Sequence, residues 1–154
     1  MIILDTLKPE YALQVAEIEK ACFSLPWSED AFMSEIDNPL ATYVVAVEDE
    51  TVLGFAGVHI IAGEGYITNI AVCETARRCG IGEMMLKRII DICKSKCTFV
   101  TLEVRVSNTS AISLYEKLGF ETLGIRKNFY EKPTEDAVIM TLNFNREESD
   151  NDAV

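Results

Sequence analysis

The sequence is short of the side chains that metal and thiol chemistry need. It has a single histidine, His59, and its five cysteines (Cys22, Cys73, Cys79, Cys93 and Cys97) are an odd number with no Cys-x-x-Cys pair. That spacing argues against a disulfide framework and against a zinc site, so no metal is expected. Cys93 and Cys97 lie one helical turn apart and suit packing in a reduced core. His59 stands in an apolar strand with no evident partner, so it reads as a core or edge histidine rather than a catalytic one. No Gly-x-Ser-x-Gly elbow occurs, which leaves nucleophilic serine chemistry without support. No apolar run reaches the ~18 residues of a membrane span. Met1–Asp5 has neither a basic n-region nor a long apolar h-region, so no signal peptide is expected and the reading is cytoplasmic, with no membrane partner.

Positive charge is scarce too. Fourteen Lys and Arg stand against 25 Asp and Glu, for a net charge of −11. A direct nucleic-acid partner is therefore disfavoured, whereas a basic peptide or an amine would be steered in. Part of the charge is local. Glu147, Glu148, Asp150 and Asp152 follow Arg146 with no apolar periodicity, so residues 146–154 read as a disordered acidic tail. The preceding residues 1–145 read as one domain, long enough to bury a core with 49% of the sequence hydrophobic.

Hydrophobic spacing gives the order of elements. A short strand covers Ile2–Leu4. Pro9 opens a helix with Ala12, Val15, Ala16, Ile18 and Cys22 at helical spacing. Pro26 breaks it, and Ser28 caps a second helix with Glu29 and Asp30 in its first turn, running to about Ile36. Ala41–Glu48 and Thr51–Ile61 form a hairpin, and Tyr66–Cys73 is a further strand. A helix from Glu83 to about Lys96 places Met85, Leu86, Ile89, Ile90, Cys93 and Cys97 on one face. Thr98–Val104 is a strand. Ser107-Asn108-Thr109 caps a helix over Ser110–Leu118 that ends with Gly119 in a C′ position. Phe120–Ile125 and Ala137–Phe144 are strands joined by a polar link, Lys127–Glu135. The pattern is an α/β fold on one mixed sheet.

Within that order, Arg77-Arg78-Cys79-Gly80-Ile81-Gly82 sits at a strand-to-helix junction. Two glycines allow a tight turn whose N–H groups point outward. The helix start adds unpaired N–H groups and partial positive charge. Such a junction suits a pyrophosphate. The third glycine of a dinucleotide fingerprint is absent, with Met85 in its place, and so is the Gly-Lys-Ser/Thr of a P-loop. Glu103 is unusual as a carboxylate near the C-terminal end of a core strand. It either reaches solvent, pairs with Arg105 or Arg126, or serves a ligand site of the kind that forms beyond strand ends in open α/β sheets. Tyr115, on the next helix, by itself reads as a core tyrosine with a wet hydroxyl.

Three stretches carry a resemblance. They are Ile70-Ala71-Val72, Arg77-Arg78-x-Gly80-Ile81-Gly82, and Leu102-Glu103-Val104-Arg105-x-Ser107-Asn108-x-x-Ala111-x-x-Leu114-Tyr115-x-x-x-Gly119-Phe120. Together they resemble the GNAT acetyltransferase superfamily, and within it the bacterial RimI-type ribosomal-protein alanine N-acetyltransferases. Phe23-x-x-Pro26-Trp27-Ser28 is similar to that group's Phe-Pro-Trp-Ser loop, with Ser24 and Leu25 between Phe23 and Pro26. Arg126-Lys127-Asn128-Phe129-Tyr130 followed by Asp136-Ala137 agrees as well. The resemblance spans Leu4 to Phe144.

It implies a mostly antiparallel mixed sheet of six to seven strands, splayed in the middle and flanked by about four helices. It implies acetyl-CoA as acetyl donor, its pyrophosphate on the amides of Arg78, Cys79, Gly80, Ile81, Gly82 and Glu83 beside Arg77. The pantetheine arm would run along the backbone of Ile70, Ala71 and Val72, and Asn108 would touch the cofactor. Glu103 would be general base and Tyr115 general acid. Pro26, Trp27, Asn128 and Tyr130 would flank the acceptor. That acceptor would be the basic N-terminal peptide, with alanine first, of a ribosomal protein, the eighteenth of the small subunit. A monomer or weak dimer is expected. An acetyltransferase for lysine or small amines, or a non-catalytic acyl-CoA-binding subunit, remain alternatives. Arg77 stands where glutamine is commoner, and Glu83 where a neutral or basic residue is, which would weaken phosphate binding slightly.

Overall fold

A β-branched run such as Ala41–Val47 belongs in a strand covered on both faces, and a computed structural model of the chain puts it there. The structure describes residues 1–144, so the acidic tail expected at 146–154 lies outside the described residues. In chain order the elements are β1 (Ile3–Thr6), α1 (Pro9–Cys22), α2 (Glu29–Ile36), β2 (Ala41–Glu48), β3 (Thr51–Ile61) and β4 (Glu64–Val72). A single 3₁₀ turn, Glu74–Ala76, leads to α3 (Ile81–Lys94), β5 (Phe99–Arg105), α4 (Thr109–Lys117), β6 (Glu121–Tyr130) and β7 (Glu135–Asn143). The seven strands form one mixed sheet in the order β1-β2-β3-β4-β5-β7-β6, flanked by the four helices. Pairing is antiparallel for β1–β2, β2–β3, β5–β7 and β6–β7, and parallel for β4–β5, where Glu64, Gly65 and Tyr66 face Phe99, Val100 and Thr101. Among the described residues, no helix is long and apolar enough to cross a membrane.

The chain divides into two compact units. The first comprises Met1–His59 and Ile67–Ile89. Its core gathers Val15 and Ile18 from α1, Phe32 from α2, Tyr43, Val45 and Val47 from β2, Val52 and Phe55 from β3, and Ala71 from β4. Phe32, fully buried, meets Phe55 edge-on at 5.4 Å and Tyr43 at 6.1 Å. Truncating a buried Phe to Ala costs about 3–5 kcal/mol, so Phe32 is the natural anchor of α2. Ser28 caps α2 as its sequence foretells, its Oγ accepting the N–H of Ala31 at 3.1 Å. On β3, Gly57 lies opposite Tyr43, and a Cβ there would fall 2.2 Å from the Tyr43 ring. The ring rests on bare backbone.

The second unit comprises Ile60–Tyr66 and the chain from Ile90. Val100, Leu102 and Val104 of β5 are buried, so Thr101, Glu103 and Arg105 share the other face. Cys93 and Cys97 are buried free thiols, and burial pushes the Cys93 thiol up to about 12, which suits packing rather than reactivity. At the end of α4, Gly119 takes φ 102° at C′, and the Phe120 N–H reaches back to Tyr115 O at 3.0 Å.

Several element boundaries differ from the sequence reading, most by one or two residues, and two of the differences bear on the candidate site. Helix α3 starts at Ile81, not Glu83. Strand β6 runs five residues past Ile125, through the segment read as a polar link, to Tyr130. Its register jumps from Arg126 opposite Ala137 to Tyr130 opposite Glu135, so Lys127, Asn128 and Phe129 bulge. Asn128 adopts φ 54°, and its N–H donates to Asp136 Oδ1 at 2.9 Å. Nearly every residue of β6 is exposed, so no apolar alternation marks it as a strand.

Candidate active site

Each unit contributes its own group of candidate residues. In the first, β4 ends at Val72 with Ile67, Asn69 and Ala71 buried and Thr68, Ile70 and Val72 half-buried. After the 3₁₀ turn the chain reverses through two left-handed residues, Arg78 (φ 67°) and Gly80 (φ 79°). A non-glycine residue at positive φ costs free energy, which marks this as a turn held by its surroundings. A Cβ at Gly80 would meet nothing within 4 Å, so the glycine serves conformation and leaves its outer side open. The first helical bond runs from Met84 N–H to Gly80 O at 3.0 Å. The amides of Ile81, Gly82 and Glu83 therefore precede it, at the positive end of α3. Ile81, 2% exposed, pins this turn to the core. The Glu83 carboxylate, foreseen as a repulsive charge here, is paired with Lys87 at 3.1 Å. Arg78 and Cys79 are exposed. Arg77 is turned back on the scaffold: its Nε donates to Val72 O at 3.2 Å and its Nη2 to Cys22 Sγ at 3.4 Å.

In the second unit, Glu103 is the centre. Its side chain is 8% exposed, and both oxygens are engaged. Oε1 accepts the Tyr66 hydroxyl, and Oε2 accepts Arg126 Nε at 3.2 Å. Arg126, not Arg105, is thus its cationic partner. Arg105 instead pairs with Glu135 at 3.1 Å, donates to the carbonyls of Pro133 and Glu131, and lies over the Tyr130 ring at 4.5 Å. Tyr115 is 5% exposed on α4, its ring 5.7 Å from Phe120. Burial raises the pKa of the Tyr115 hydroxyl, and the neighbouring Tyr130 adds to the shift. Burial also raises that of Tyr66, helped by its hydrogen bond to Glu103. Tyr130 is pushed up to about 12, first by burial and then by the Glu103 charge. All three phenols hold their protons at neutral pH. The Asn108 oxygen caps α4 by accepting Ala111 N–H at 3.3 Å.

Sequence reasoning named Glu103, with Arg126 as one of two possible partners, but it missed Tyr66. Tyr66 comes from a different strand, and only the parallel β4–β5 pairing brings it near. It also passed over Glu19 and Asn69. Glu19 is 3% exposed on α1, and Asn69 is 8% exposed on β4. A signal was present, because Glu19 follows Val15 by four residues and precedes Cys22 by three, on the apolar stripe of its helix. Trp27 is half-buried, 5.5 Å from Phe32, with Pro26 exposed beside it. His59, which had no evident partner, sits against the Glu35 carboxylate, Nε2 to Oε2 at 3.0 Å.

Comparison with known proteins bears on this arrangement. The acetyltransferase (GNAT) family profile matches residues 12–120. A Bacillus subtilis (strain 168) protein, provisionally named a ribosomal protein bS18-alanine N-acetyltransferase, is 41% identical over 133 residues, covering 85% of this chain and 88% of that protein. The crystal structure of the ribosomal-protein-S18-alanine N-acetyltransferase from Escherichia coli superposes with a TM-score of 0.86 at 32% identity, covering 94% of both chains. Arabidopsis thaliana NAA60 in complex with acetyl-CoA gives a TM-score of 0.87 at 19% identity, covering 94% of this chain and 99% of that one, a likeness of fold.

Proposed function

The chain belongs to the GNAT acetyltransferase family and is an acetyl-transferring enzyme, and on that premise we propose that it acetylates the N-terminal amine, with alanine first, of ribosomal protein bS18. The substrate rests on the names of the Bacillus subtilis and Escherichia coli relatives. The chemistry rests on one observation above others: a nearly buried carboxylate near a strand end, Glu103, gripped by a phenol and a guanidinium.

Acetyl-CoA supplies the acetyl group as a thioester. The residues present fit it: a turn with two positive-φ positions, the amides of a helix start, and no obstruction beyond Gly80. The amides of Arg78, Cys79, Gly80, Ile81, Gly82 and Glu83 would hold the diphosphate, while Arg77 braces the loop from behind. The backbone of Ile70, Ala71 and Val72 would pair with the pantetheine arm as an added strand. Asn108 would reach the cofactor through its amide nitrogen, since its oxygen caps α4.

The acceptor amine must be neutral to attack. An α-amine with pKa ~7.7–8.0 is partly so at neutral pH, and a lysine at ~10.4 rarely is. As the C–N bond forms and the C–S bond breaks, Glu103 takes the ammonium proton through water held by its neighbours. Tyr115 would give its hydroxyl proton to the departing sulfur, which leaves as the CoA thiol, and the proton taken up by Glu103 would restore the phenol through solvent. Pro26, Trp27, Asn128 and Tyr130 are assigned to the acceptor peptide, and the net charge of −11 favours a basic one. A ribosomal-protein substrate accords with a reaction in the cytoplasm.

The test is incubation with acetyl-CoA and two peptides, one Ala-initiated and one N-terminally blocked with an internal lysine, read by mass. Acetylation of the first alone is expected. Acetylation of the blocked peptide, or of neither, overturns the reading.

A further inference from the structure

One buried carboxylate ties the α1–α2 connection to the middle of β4. Glu19 Oε2 accepts the backbone N–H of Trp27 at 3.1 Å, and its Oε1 accepts the Asn69 side-chain amide at 3.1 Å. Asn69 Oδ1 accepts the Thr68 hydroxyl at 2.7 Å and the Tyr43 hydroxyl at 3.2 Å. Those two hydroxyls stand 3.1 Å apart. Every donor in this chain of bonds is neutral. Among the described residues, no buried side-chain polar atom lacks a partner, so the network is closed. Its two ends are telling. One is the backbone of Trp27, in the loop assigned to the acceptor. The other is Asn69, the residue immediately before Ile70, where the strand assigned to the thioester arm begins.

We propose that Glu19 is a positioning residue for the acceptor: its carboxylate fixes the Pro26-Trp27 loop in register with β4, so that the peptide is presented at a set height along that strand. Glu19 touches no substrate. This rests on the functional reading above for the identity of the acceptor, but the tether itself stands on the hydrogen bonds alone. The role needs two acceptor sites, not a charge. Glutamine meets it: its oxygen takes the Trp27 N–H, and its NH₂ donates to Asn69 once that amide turns over. The Asn69 NH₂ then donates to Thr68 and Tyr43, whose hydroxyls accept as readily as they donate. Alanine removes both links.

The experiment compares the full chain with Glu19→Gln, Glu19→Ala and Asn69→Ala. It varies an Ala-initiated peptide and acetyl-CoA in turn, and reads the emission of Trp27, the one tryptophan in the chain. For Glu19→Ala, the peptide KM should rise about tenfold, the worth of one well-placed hydrogen bond, with the acetyl-CoA KM unchanged and Trp27 emission shifted to the red. Asn69→Ala should move the same way, and it carries the test if Glu19→Ala does not fold. Glu19→Gln should match the parent in both readouts. The proposal is overturned if Glu19→Gln is as impaired as Glu19→Ala, which would mean that the charge itself acts. It is equally overturned if the alanine variants lower only the melting temperature and leave peptide KM and emission alone. Should the parent acetylate no N-terminal peptide, the functional reading fails separately. Emission then still decides the tether: a shift in Glu19→Ala with none in Glu19→Gln upholds it, and no shift overturns it.

Discussion

Glu19 and Glu103 are two shielded carboxylates with opposite surroundings. Glu19 lies on the core face of α1 and accepts only from neutral amides. Glu103 lies two residues before the end of β5, meets a phenol on one oxygen and a guanidinium on the other, and that guanidinium, Arg126, is 57% exposed. A carboxylate closed in by neutral donors can hold a shape, but it has no charged or exposed partner to carry a proton onward. A carboxylate whose partners open to solvent can exchange one. Burial alone does not distinguish the carboxylate proposed as a base from the one proposed as a positioning residue; the character and exposure of their partners do.

Four measurements press on that difference. The largest effect is expected from Glu103→Gln, which should lower kcat about 10²–10⁴-fold. The exposed Arg126 pair lost with it should change stability little. A normal kcat would make Glu103 as architectural as Glu19. Next, Tyr115→Phe should lower kcat about 10²-fold with acetyl-CoA affinity nearly intact, as steady-state kinetics with product detection would show. An unchanged kcat would leave its ring as packing against Phe120. Third, Tyr66→Phe removes the donor on Glu103 Oε1 and should cost about tenfold in kcat, the scale of a hydrogen bond to a charged group. An unaltered rate and pH profile would show that this phenol is no part of the reaction.

The smallest effect separates the two carboxylates by stability. Burial holds the Glu19 carboxyl above the usual carboxylate range, offset in part by the Trp27 and Asn69 hydrogen bonds. The folded chain therefore keeps this proton to a higher pH than the unfolded chain does. The group's stabilising share is full below about pH 4.3 and falls as pH rises through the raised value. Glu19→Gln should flatten that fall, so its melting temperature relative to the parent should climb between about pH 4 and pH 7. A constant difference across that range would mean that Glu19 titrates no differently on folding.

The sequence displayed whatever repeats on a face or caps an end. Ala41–Val47 read as a strand because it is packed on both sides, and Ser28 and Gly119 announced helix ends through backbone chemistry that acts over a few residues. Glu103 drew notice because a carboxylate in a core strand is rare. Its partners were harder to see. Tyr66 is 37 residues away in sequence, and no local rule links the two. Arg126 was foreseen only as one of two arginines within reach. The extended β6 escaped because an exposed edge strand leaves no apolar alternation, and its bulge rests on one side-chain acceptor, Asp136. Glu19 was hidden for the opposite reason. It shares its stripe with Val15, Ile18 and Cys22, and a single polar letter in an apolar pattern looks like noise until a partner is known.

Gly57 carries a consequence of its own. Methylating that bare backbone, as Gly57→Ala would, drives the Tyr43 ring off its seat, and the hydroxyl would leave Thr68 and Asn69 together. The residue with no side chain thus sets the aim of a phenol one strand away. Drift at this codon would be felt first in polar wiring that glycine itself never touches.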